Sequence, residues 1–182
     1  MLVLVGPSAS GKSEIVKELI HQYSLEKFVT CTTRKPRVGE VNKVDYYFLT
    51  VAEFQKLYHE NAFIETVFYN GNYYGSLKSE VEDNKVVILE PQGLASFRQQ
   101  LSNLFVVSLK TEPNLLKKRM LSRGDSMLDT MKRLENDQIY FNDTLIGQTD
   151  LVIKTDDKTI AEISKLIYDA YNNYLKKYFG GK

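Results

Sequence analysis

The sequence predicts an α/β fold in which a parallel sheet is flanked by helices. Short, mostly apolar runs are typical of strands covered on both faces, and they occur at residues 2–5, 86–89 and 105–109, with a weaker run at 151–153. Amphipathic stretches between them predict helices over residues 13–22, 111–122 and 158–178. Because strands that alternate with helices form parallel sheets, a parallel sheet is expected here.

Two segments depart from this alternation. Residues 33–76 are rich in Tyr, Phe, Thr and Gly, and Asn70-Gly71 between aromatic residues is a strong hairpin signal. They predict a small mixed β lobe, at about residues 33–76, inserted into one domain whose core is residues 1–32 and 77–182. A second insertion around residues 124–131, between two basic helices, predicts a short mobile lid at about residues 123–133.

Composition excludes several classes of protein. The 182 residues include 24 Lys and Arg against 23 Asp and Glu, which argues against a nucleic-acid partner that covers the surface. No apolar run approaches the length of a membrane span. The single cysteine, Cys31, excludes an internal disulfide and fits a reducing compartment. The first five residues lack a basic segment, so no signal peptide is expected, and we expect a soluble cytoplasmic protein.

The most specific motif is the octapeptide that follows the first predicted strand. It matches G-x-x-x-x-G-K-[ST] at every fixed position, and its residues are Gly6, Pro7, Ser8, Ala9, Ser10, Gly11, Lys12 and Ser13. Such a loop turns its backbone N–H groups toward phosphate oxygens, and the helix that follows adds positive potential. Lys12 would reach the β- and γ-phosphates, and the Ser13 hydroxyl would coordinate Mg²⁺. The motif predicts a sheet of the P-loop NTPase type that binds ATP.

A basic loop follows. Arg34, Lys35 and Arg37 place three cations within four residues, and Pro36 and Gly39 favour a loop. Since arginine binds phosphate through two parallel charge-assisted hydrogen bonds, the loop suits a second phosphate. Taken alone, it is equally well explained as a solvated basic turn.

Four ordered segments then resemble one family, the guanylate kinases. Residues 32–40, 45–48, 63–65 and 71–75 match that family's T-T-R-x-P-R-x-G-E, D-Y-x-F, F-[IL]-E and G-N-Y-Y-G. The phosphate loop is also similar, with Ala9 where the family usually has glycine. The resemblance covers essentially the whole chain, and it implies an enzyme that transfers the γ-phosphoryl group of ATP to GMP, and to dGMP, with Mg²⁺.

The resemblance also implies roles for residues of the acceptor lobe. The acceptor's 5′-phosphate would be held by Arg34, Arg37, Tyr46 and Tyr74. Glu65 would accept hydrogen bonds from the guanine N1–H and N2 amine, and Ser76 would support the base. Thr30 stands where the family usually has a serine that reads the base. A carboxylate is the natural acceptor for guanine's two adjacent donors, and adenine has no such pair.

Basic residues also cluster at the predicted lid. Arg119 and Arg123 are four residues apart, so a helix places them on one face. They resemble the family's lid arginines, with Arg133 as a third, and the resemblance implies that they act with Lys12 in catalysis. Phosphoryl transfer needs such cations because charge spreads over the moving group. An exposed basic helix is the alternative explanation.

One segment departs from the family pattern. Residues 88–93 read I-L-E-P-Q-G where guanylate kinases usually read D-x-D-x-Q-G. Glu90 therefore takes the place of the second acid, and Ile88 replaces the first. In the family these acids help to read the acceptor base and to organise Mg²⁺, so Glu90 is a candidate for GMP binding and for the metal site. Pro91 favours an extended conformation at Glu90.

Two other functions are also compatible with the sequence. A related domain without catalysis would use the Arg34 pocket to bind a phosphorylated or acidic peptide, but it has no need of Lys12, Ser13 and Arg123. A kinase for another small phosphate is the second alternative. Glu65 favours guanine, whereas the changes at residues 88 and 90 keep another acceptor open. The sequence does not indicate an oligomeric state.

Overall fold

The computed structural model describes residues 1–37, 39–69 and 71–180. The strands, in chain order, are β1 (Leu2–Val5), β2 (Glu26–Lys27), β3 (Cys31–Thr32), β4 (Tyr47–Phe48), β5 (Phe63–Tyr69), β6 (Asn72–Leu77), β7 (Lys85–Ile88), β8 (Phe105–Lys110) and β9 (Leu151–Lys154). The helices are α1 (Lys12–Tyr23), α2 (Val51–His59), α3 (Pro91–Gln100), α4 (Pro113–Ser122), α5 (Met127–Tyr140), α6 (Asp143–Ile146) and α7 (Ile160–Phe179).

The main sheet has five parallel strands in the order β2-β7-β1-β8-β9. This confirms the predicted fold class. β1 lies at the centre, paired with β7 on one side and β8 on the other, and all four of its residues are buried. The strand that leads into the phosphate loop is therefore fixed from both sides.

Helices cover both faces of the main sheet. On one face, α1 and α7 pack Ile15, Leu19 and Ile163 into a core with alternate strand residues. On the other face, α3 and α6 contribute Leu94 and Ile146 to a second core. The four predicted strands and three predicted helices are confirmed, with boundaries that differ by no more than two residues.

The largest boundary differences have local causes. The fourth helix begins at Pro113 because Glu112 keeps an extended backbone and proline suits the first helical position. The last helix begins after Thr159, whose hydroxyl accepts a hydrogen bond from the Glu162 amide, while the Glu162 carboxylate accepts one from the Thr159 amide. This capping box stabilises the helix start two residues after the predicted position.

A second, four-stranded sheet has the order β4-β3-β6-β5 and is mixed. This confirms the mixed β insertion, although its strands run from Cys31 to Leu77 and so exceed the predicted bounds slightly. Asn70 of the predicted hairpin lies outside the described residues, and Gly71 beside it has a left-handed φ of 74°. Gly75 is required by close packing, because a Cβ there would lie 2.8 Å from the Phe63 ring. Independent movement of this lobe stays a prediction.

The segment predicted as a short lid is mostly helical. α4 ends at Ser122, a turn follows with Gly124 at a φ of 97°, and α5 begins at Met127. Residues 127–133 therefore form the first two turns of a 14-residue helix. The predicted lid therefore overlaps the first turns of α5, which is one of the two helices expected on either side of it, and its mobility stays a prediction.

A buried polar network joins the two sheets. The Tyr47 hydroxyl donates to Glu80 Oε1 at 2.6 Å, and Lys85 Nζ donates to Glu80 Oε2 at 2.8 Å. Burial by itself would raise the pKa of Glu80, but the hydrogen bonds from Lys85 and Tyr47 bring it below its usual value. Tyr47 lies in β4 and Lys85 in β7, so Glu80 ties the inserted sheet to the main one.

In the part of the chain that the structure describes, no helix combines the length and the apolar character that a membrane crossing requires.

Candidate active site

The phosphate loop connects β1 to α1, as predicted. Gly6 allows a close approach of two backbones, because a Cβ there would lie 2.9 Å from the Leu109 carbonyl oxygen. Gly11, immediately before α1, has a φ of 95°, which side-chain-bearing residues rarely adopt. The Ser10 amide donates to the Pro7 carbonyl at 3.3 Å and closes the turn. The loop therefore has the shape on which phosphate binding depends.

Lys12 folds back over this loop. Its Nζ donates to the carbonyl oxygens of Gly6 at 2.6 Å and Pro7 at 2.7 Å. Burial lowers the pKa of Lys12 to about 8, while the carboxylates of Asp137 and Glu90 oppose this shift. The ammonium group is thus held close to its own loop in a partly dehydrated position, where a phosphate would interact with it strongly.

A cavity of about 540 Å³ opens beside the loop. Its walls include Lys12, Ser13, Arg119 and Arg123, together with the start of α7. Arg119 donates to the Ala9 carbonyl at 3.3 Å, which ties α4 to the phosphate loop. The structure therefore brings together four of the residues predicted to bind or act on the donor.

Arg123 and Arg133 both donate hydrogen bonds to Asp125, a carboxylate that was not among the predicted site residues. Asp125 Oδ2 accepts hydrogen bonds from Arg123 Nη2 at 2.7 Å and Nε at 3.0 Å, and from Arg133 Nη1 at 3.4 Å. The Arg123 hydrogen bonds hold the pKa of Asp125 below its usual value. Asp125 therefore joins α4 to α5 and orients both arginines. Its position two residues after Arg123 was the only signal in the sequence.

Arg34 lies among the aromatic residues predicted with it. Its guanidinium is 5.5 Å from the centre of the Tyr46 ring, and the Tyr46 and Tyr74 rings are 6.3 Å apart. Arg34 also interacts with the Tyr74 hydroxyl. The structure thus assembles three of the four residues predicted to hold the acceptor's phosphate.

Glu40 holds the basic loop in shape. Its Oε1 accepts from Arg34 Nη2 at 2.8 Å, and its Oε2 accepts from the Arg37 backbone amide at 2.7 Å. The Arg34 hydrogen bond lowers the pKa of Glu40. The Arg37 side chain is exposed, and Val38 beside it lies outside the described residues. Glu40 is part of the sequence motif, but its role as a positioning residue becomes visible only in the structure.

Glu65 and Ser76 face each other across two antiparallel strands. They are register partners in β5 and β6, and Ser76 Oγ donates to Glu65 Oε1 at 3.2 Å. Burial raises the pKa of Glu65, the Glu90 carboxylate raises it further, and the Ser76 hydrogen bond opposes both. A Cβ on Gly93 would lie only 3.4 Å from Glu65 Oε2, so α3 packs closely against a second side of the carboxylate. Glu65 is therefore partly buried and directed by its neighbours.

Thr30 lies beside Tyr46, where the inserted lobe joins the main sheet. It borders a separate cavity of about 150 Å³ with Tyr46 and Ile88. Its carbonyl accepts from the Tyr47 amide at 2.9 Å. The structure therefore connects Thr30 with the Tyr46 side of the lobe. It shows no contact of the described Thr30 side chain with Glu65.

Glu90 lies at the start of α3, directly after β7 and its following residue. It precedes the first residue of α3, and its φ of −83° and ψ of 162° confirm the extended conformation expected before Pro91. Its side chain is exposed, and its charge acts on the pKa of both Lys12 and Glu65. Lys12 of the phosphate loop and Glu65 are therefore both within electrostatic reach of Glu90.

The donor atoms here fit a magnesium ion shared with phosphates. Within the described ranges no three Asp, Glu, His or Cys side chains cluster as a metal site would require. Mg²⁺ in nucleotide sites needs only one or two protein oxygens because phosphates and waters complete its shell. The Ser13 hydroxyl and the Glu90 carboxylate carry oxygen atoms of the kind that would hold such an ion.

Comparison with known proteins decides the family. The family model for guanylate kinase matches residues 1–170 of this chain. The chain belongs to the guanylate kinase family. The resemblance seen in its motifs is thereby confirmed.

Relatives within the guanylate kinase family agree with this assignment. The chain is 32% identical to a guanylate kinase of Mycoplasma genitalium, over 94% of this chain and 76% of the relative. It is 34% identical to a guanylate kinase of Mycoplasma pneumoniae, over 94% and 77%. These matches confirm the prediction that the chain is an enzyme, a guanylate kinase.

A solved structure shares the guanylate kinase fold. The crystal structure of guanylate kinase from Anaplasma phagocytophilum superposes with a TM-score of 0.63 at 21% identity, covering 100% of this chain and 96% of that one. At this identity the similarity concerns the fold. It agrees with the two sheets described above.

Proposed function

We propose that this guanylate kinase-family chain transfers the γ-phosphoryl group of ATP, bound with Mg²⁺, to GMP or dGMP, giving ADP and GDP or dGDP. The observation that carries the proposal is the position of Glu90, whose charge reaches both Lys12 and Glu65. This supports an arrangement in which the phosphate-loop lysine and the carboxylate proposed to read the base would face one common site. A phosphoryl donor and a guanine nucleotide could meet there. The expected cytoplasmic location stays a prediction.

On the donor side, the phosphate loop would bind the triphosphate through its N–H groups and Lys12. Arg119, Arg123 and Arg133 would place positive charge where negative charge spreads during transfer. Mg²⁺ held by Ser13, with Glu90 nearby, would neutralise phosphate charge when bound. Asp125 supports this arrangement, since it fixes the directions of two of the arginines.

On the acceptor side, Glu65 would accept two hydrogen bonds from guanine, with Ser76 holding the carboxylate in position. Arg34, Tyr46 and Tyr74 would bind the 5′-phosphate, with Arg37 closing over it from the loop. Thr30 would contribute from the Tyr46 side. Because the attacking oxygen belongs to an already ionised phosphate, no side chain needs to act as a general base.

Both insertions would move around this site. The lobe at about residues 33–76 would close over the acceptor, and the lid at about residues 123–133 would close over the donor. Closure would exclude water and so limit hydrolysis of ATP.

Product analysis of the intact chain tests the proposal. Mixed with Mg·ATP and GMP, it should form ADP and GDP in equal amounts. Lys12→Ala should lower turnover by about a hundredfold or more, because it removes a cation at the transferred group. Lys17→Ala is the control, since Lys17 is exposed on the same helix. Formation of ADP without GDP, or normal turnover in the folded Lys12→Ala protein, would contradict the proposal.

A further inference from the structure

A carboxylate from α5 lies on the phosphate loop. Asp137 Oδ2 accepts a hydrogen bond from the Ser8 amide at 2.7 Å, and Oδ1 is 3.4 Å from the Ser8 hydroxyl. The two residues are 129 positions apart in the chain. Ser8 is the third residue of the phosphate loop, whose backbone N–H groups are its phosphate-binding donors. Asp137 thus engages a donor of the kind that a phosphate oxygen would use.

One face of α5 directs the Asp137 carboxylate toward the phosphate loop. In α5 only Thr130, Leu134 and Asp137 are shielded from solvent, and Phe141 continues the same face just beyond the helix. Their spacings of four, three and four residues place them on one side of a helix. Leu134, Asp137 and Phe141 also line a cavity of about 300 Å³ with Pro7 of the loop. Asp137 is therefore the charged member of an otherwise uncharged inward face.

Asp137 also acts on the lysine of the loop through its charge. Its negative charge is the strongest carboxylate influence on Lys12, and the Phe141 ring centre lies 5.7 Å from Lys12 Nζ. A carboxylate taken from water needs charged or hydrogen-bonding partners to offset the loss of solvation. Asp137 has a hydrogen-bonding partner in the Ser8 amide and a charged partner in Lys12. The proposed function assigns these same two groups to the binding of the triphosphate.

We propose that Asp137 sets the affinity of the donor site, because its carboxylate competes with the phosphates of ATP for the Ser8 amide and for Lys12. This inference rests on the proposed function, since it takes ATP as the ligand of the loop. One amide N–H makes one strong hydrogen bond, so the carboxylate and a phosphate oxygen exclude each other there. Their like charges add repulsion. ATP binding therefore requires the Asp137 carboxylate to leave the Ser8 amide.

The test is titration calorimetry of the full chain with Mg·ATP. Asp137→Ala removes both the charge and the acceptor, and it should tighten ATP binding by about tenfold. Asp137→Asn keeps an amide oxygen that can accept from Ser8, so it should give a smaller gain. The affinity for GMP should not change in either variant. Glu135→Gln is the matched control, because Glu135 is an exposed acid on the same helix, and its ATP affinity should equal that of the unaltered chain.

The outcomes separate this inference from the proposed function. If the unaltered chain binds ATP and Lys12→Ala weakens that binding, but Asp137→Ala binds ATP no more tightly, only the competition is overturned. Weaker ATP binding in both Asp137 variants would overturn it as well, because it would make Asp137 a supporting residue. If the unaltered chain fails to bind ATP, both proposals fall. Thermal unfolding of each variant checks the fold, and Asp137→Asn, which preserves volume, serves if the alanine variant does not fold.

Discussion

Arg34 donates a hydrogen bond of 2.8 Å to Glu40, and their side chains are only 16% and 19% exposed. The same carboxylate binds the Arg37 amide, so Glu40 fixes both the guanidinium and the turn that carries it. A pre-oriented arginine loses less entropy when it binds a phosphate. The loop is therefore prepared for an anion before the acceptor arrives.

Glu40→Gln should raise KM for GMP by about tenfold with a smaller effect on kcat. The reason is that, in the proposed function, Arg34 would bind the acceptor's phosphate in the ground state and the transition state alike. Steady-state kinetics with GMP varied will show this, with Glu60→Gln, an exposed acid at the end of α2, as the control. A lower KM would contradict the prediction and would mean that Glu40 competes with the phosphate instead.

Glu65→Gln should lower the preference for GMP over AMP by about 1–3 kcal/mol, because one hydrogen-bond acceptor becomes a donor that faces a donor of guanine. The ratio of kcat/KM values for the two acceptors measures this. Ser76→Ala should have a smaller effect in the same direction, since it removes only the support at 3.2 Å. An unchanged preference in the Glu65 variant would show that this carboxylate does not read the base.

Asp125→Asn should lower kcat by about tenfold, because it loosens two arginines that, in the proposed function, would act mainly in the transition state. KM for GMP should change little. Kinetics with both substrates varied will separate the two effects, and Glu135→Gln serves again as the exposed control on α5. If kcat stays at the control value, the contacts of Asp125 only stabilise the junction of α4 and α5.

The lowered pKa of Lys12, about 8, predicts a pH dependence of ATP binding. Above pH 8 Lys12 increasingly loses its proton, whereas bound phosphates favour the charged form. ATP affinity should therefore fall as pH rises from 7 to 9, and binding at pH 8.5 should take up protons. Calorimetry in two buffers of different ionisation enthalpy measures that uptake. Lys12→Ala should abolish it, and absence of uptake in the unaltered chain would contradict the assignment.

The lowered pKa of Lys12 also affects the free energy of unfolding. The folded pKa of Lys12 lies below its unfolded value of 10.5, so folding is opposed by this group at pH values where it is charged. This opposition is complete below about pH 8 and decreases as pH rises toward 10.5. In the proposed function, a bound phosphate would favour the charged form and offset this cost. Lys12 thus illustrates how a binding site reduces stability.

Local patterns predicted much of the fold. The strands of the main sheet that are at least four residues long were found because each is a nearly continuous apolar run. β2, β3 and β4 have two residues each, which is too short for any periodicity. α2 was missed within the aromatic-rich lobe, although its capping box of Thr50 and Glu53 was a usable signal.

The motifs of the candidate site could be predicted from the sequence, but the contacts that support those motifs could not. The phosphate loop and Glu65 stand in recognisable patterns, since their chemistry demands particular residue types. Asp125 and Asp137 do not, because a carboxylate that positions a neighbour has no fixed sequence signature. Glu40 stands in the motif of residues 32–40, but its contacts with Arg34 and Arg37 could not be predicted from that motif. For Asp137 the partner is 129 residues away, and only the packing of α5 brings the two together.

In the proposed function, this enzyme phosphorylates a guanine nucleotide although Glu90 is the one acid that it retains from the family's pair. The most direct test is ADP formation from Mg·ATP with GMP, dGMP, AMP, CMP and UMP offered separately. Rapid turnover confined to GMP and dGMP is the predicted result. Folded protein that turns over none of them, or that uses AMP as readily as GMP, would contradict the claim and point to a different acceptor, with Ile88 and Glu90 as the residues to examine first.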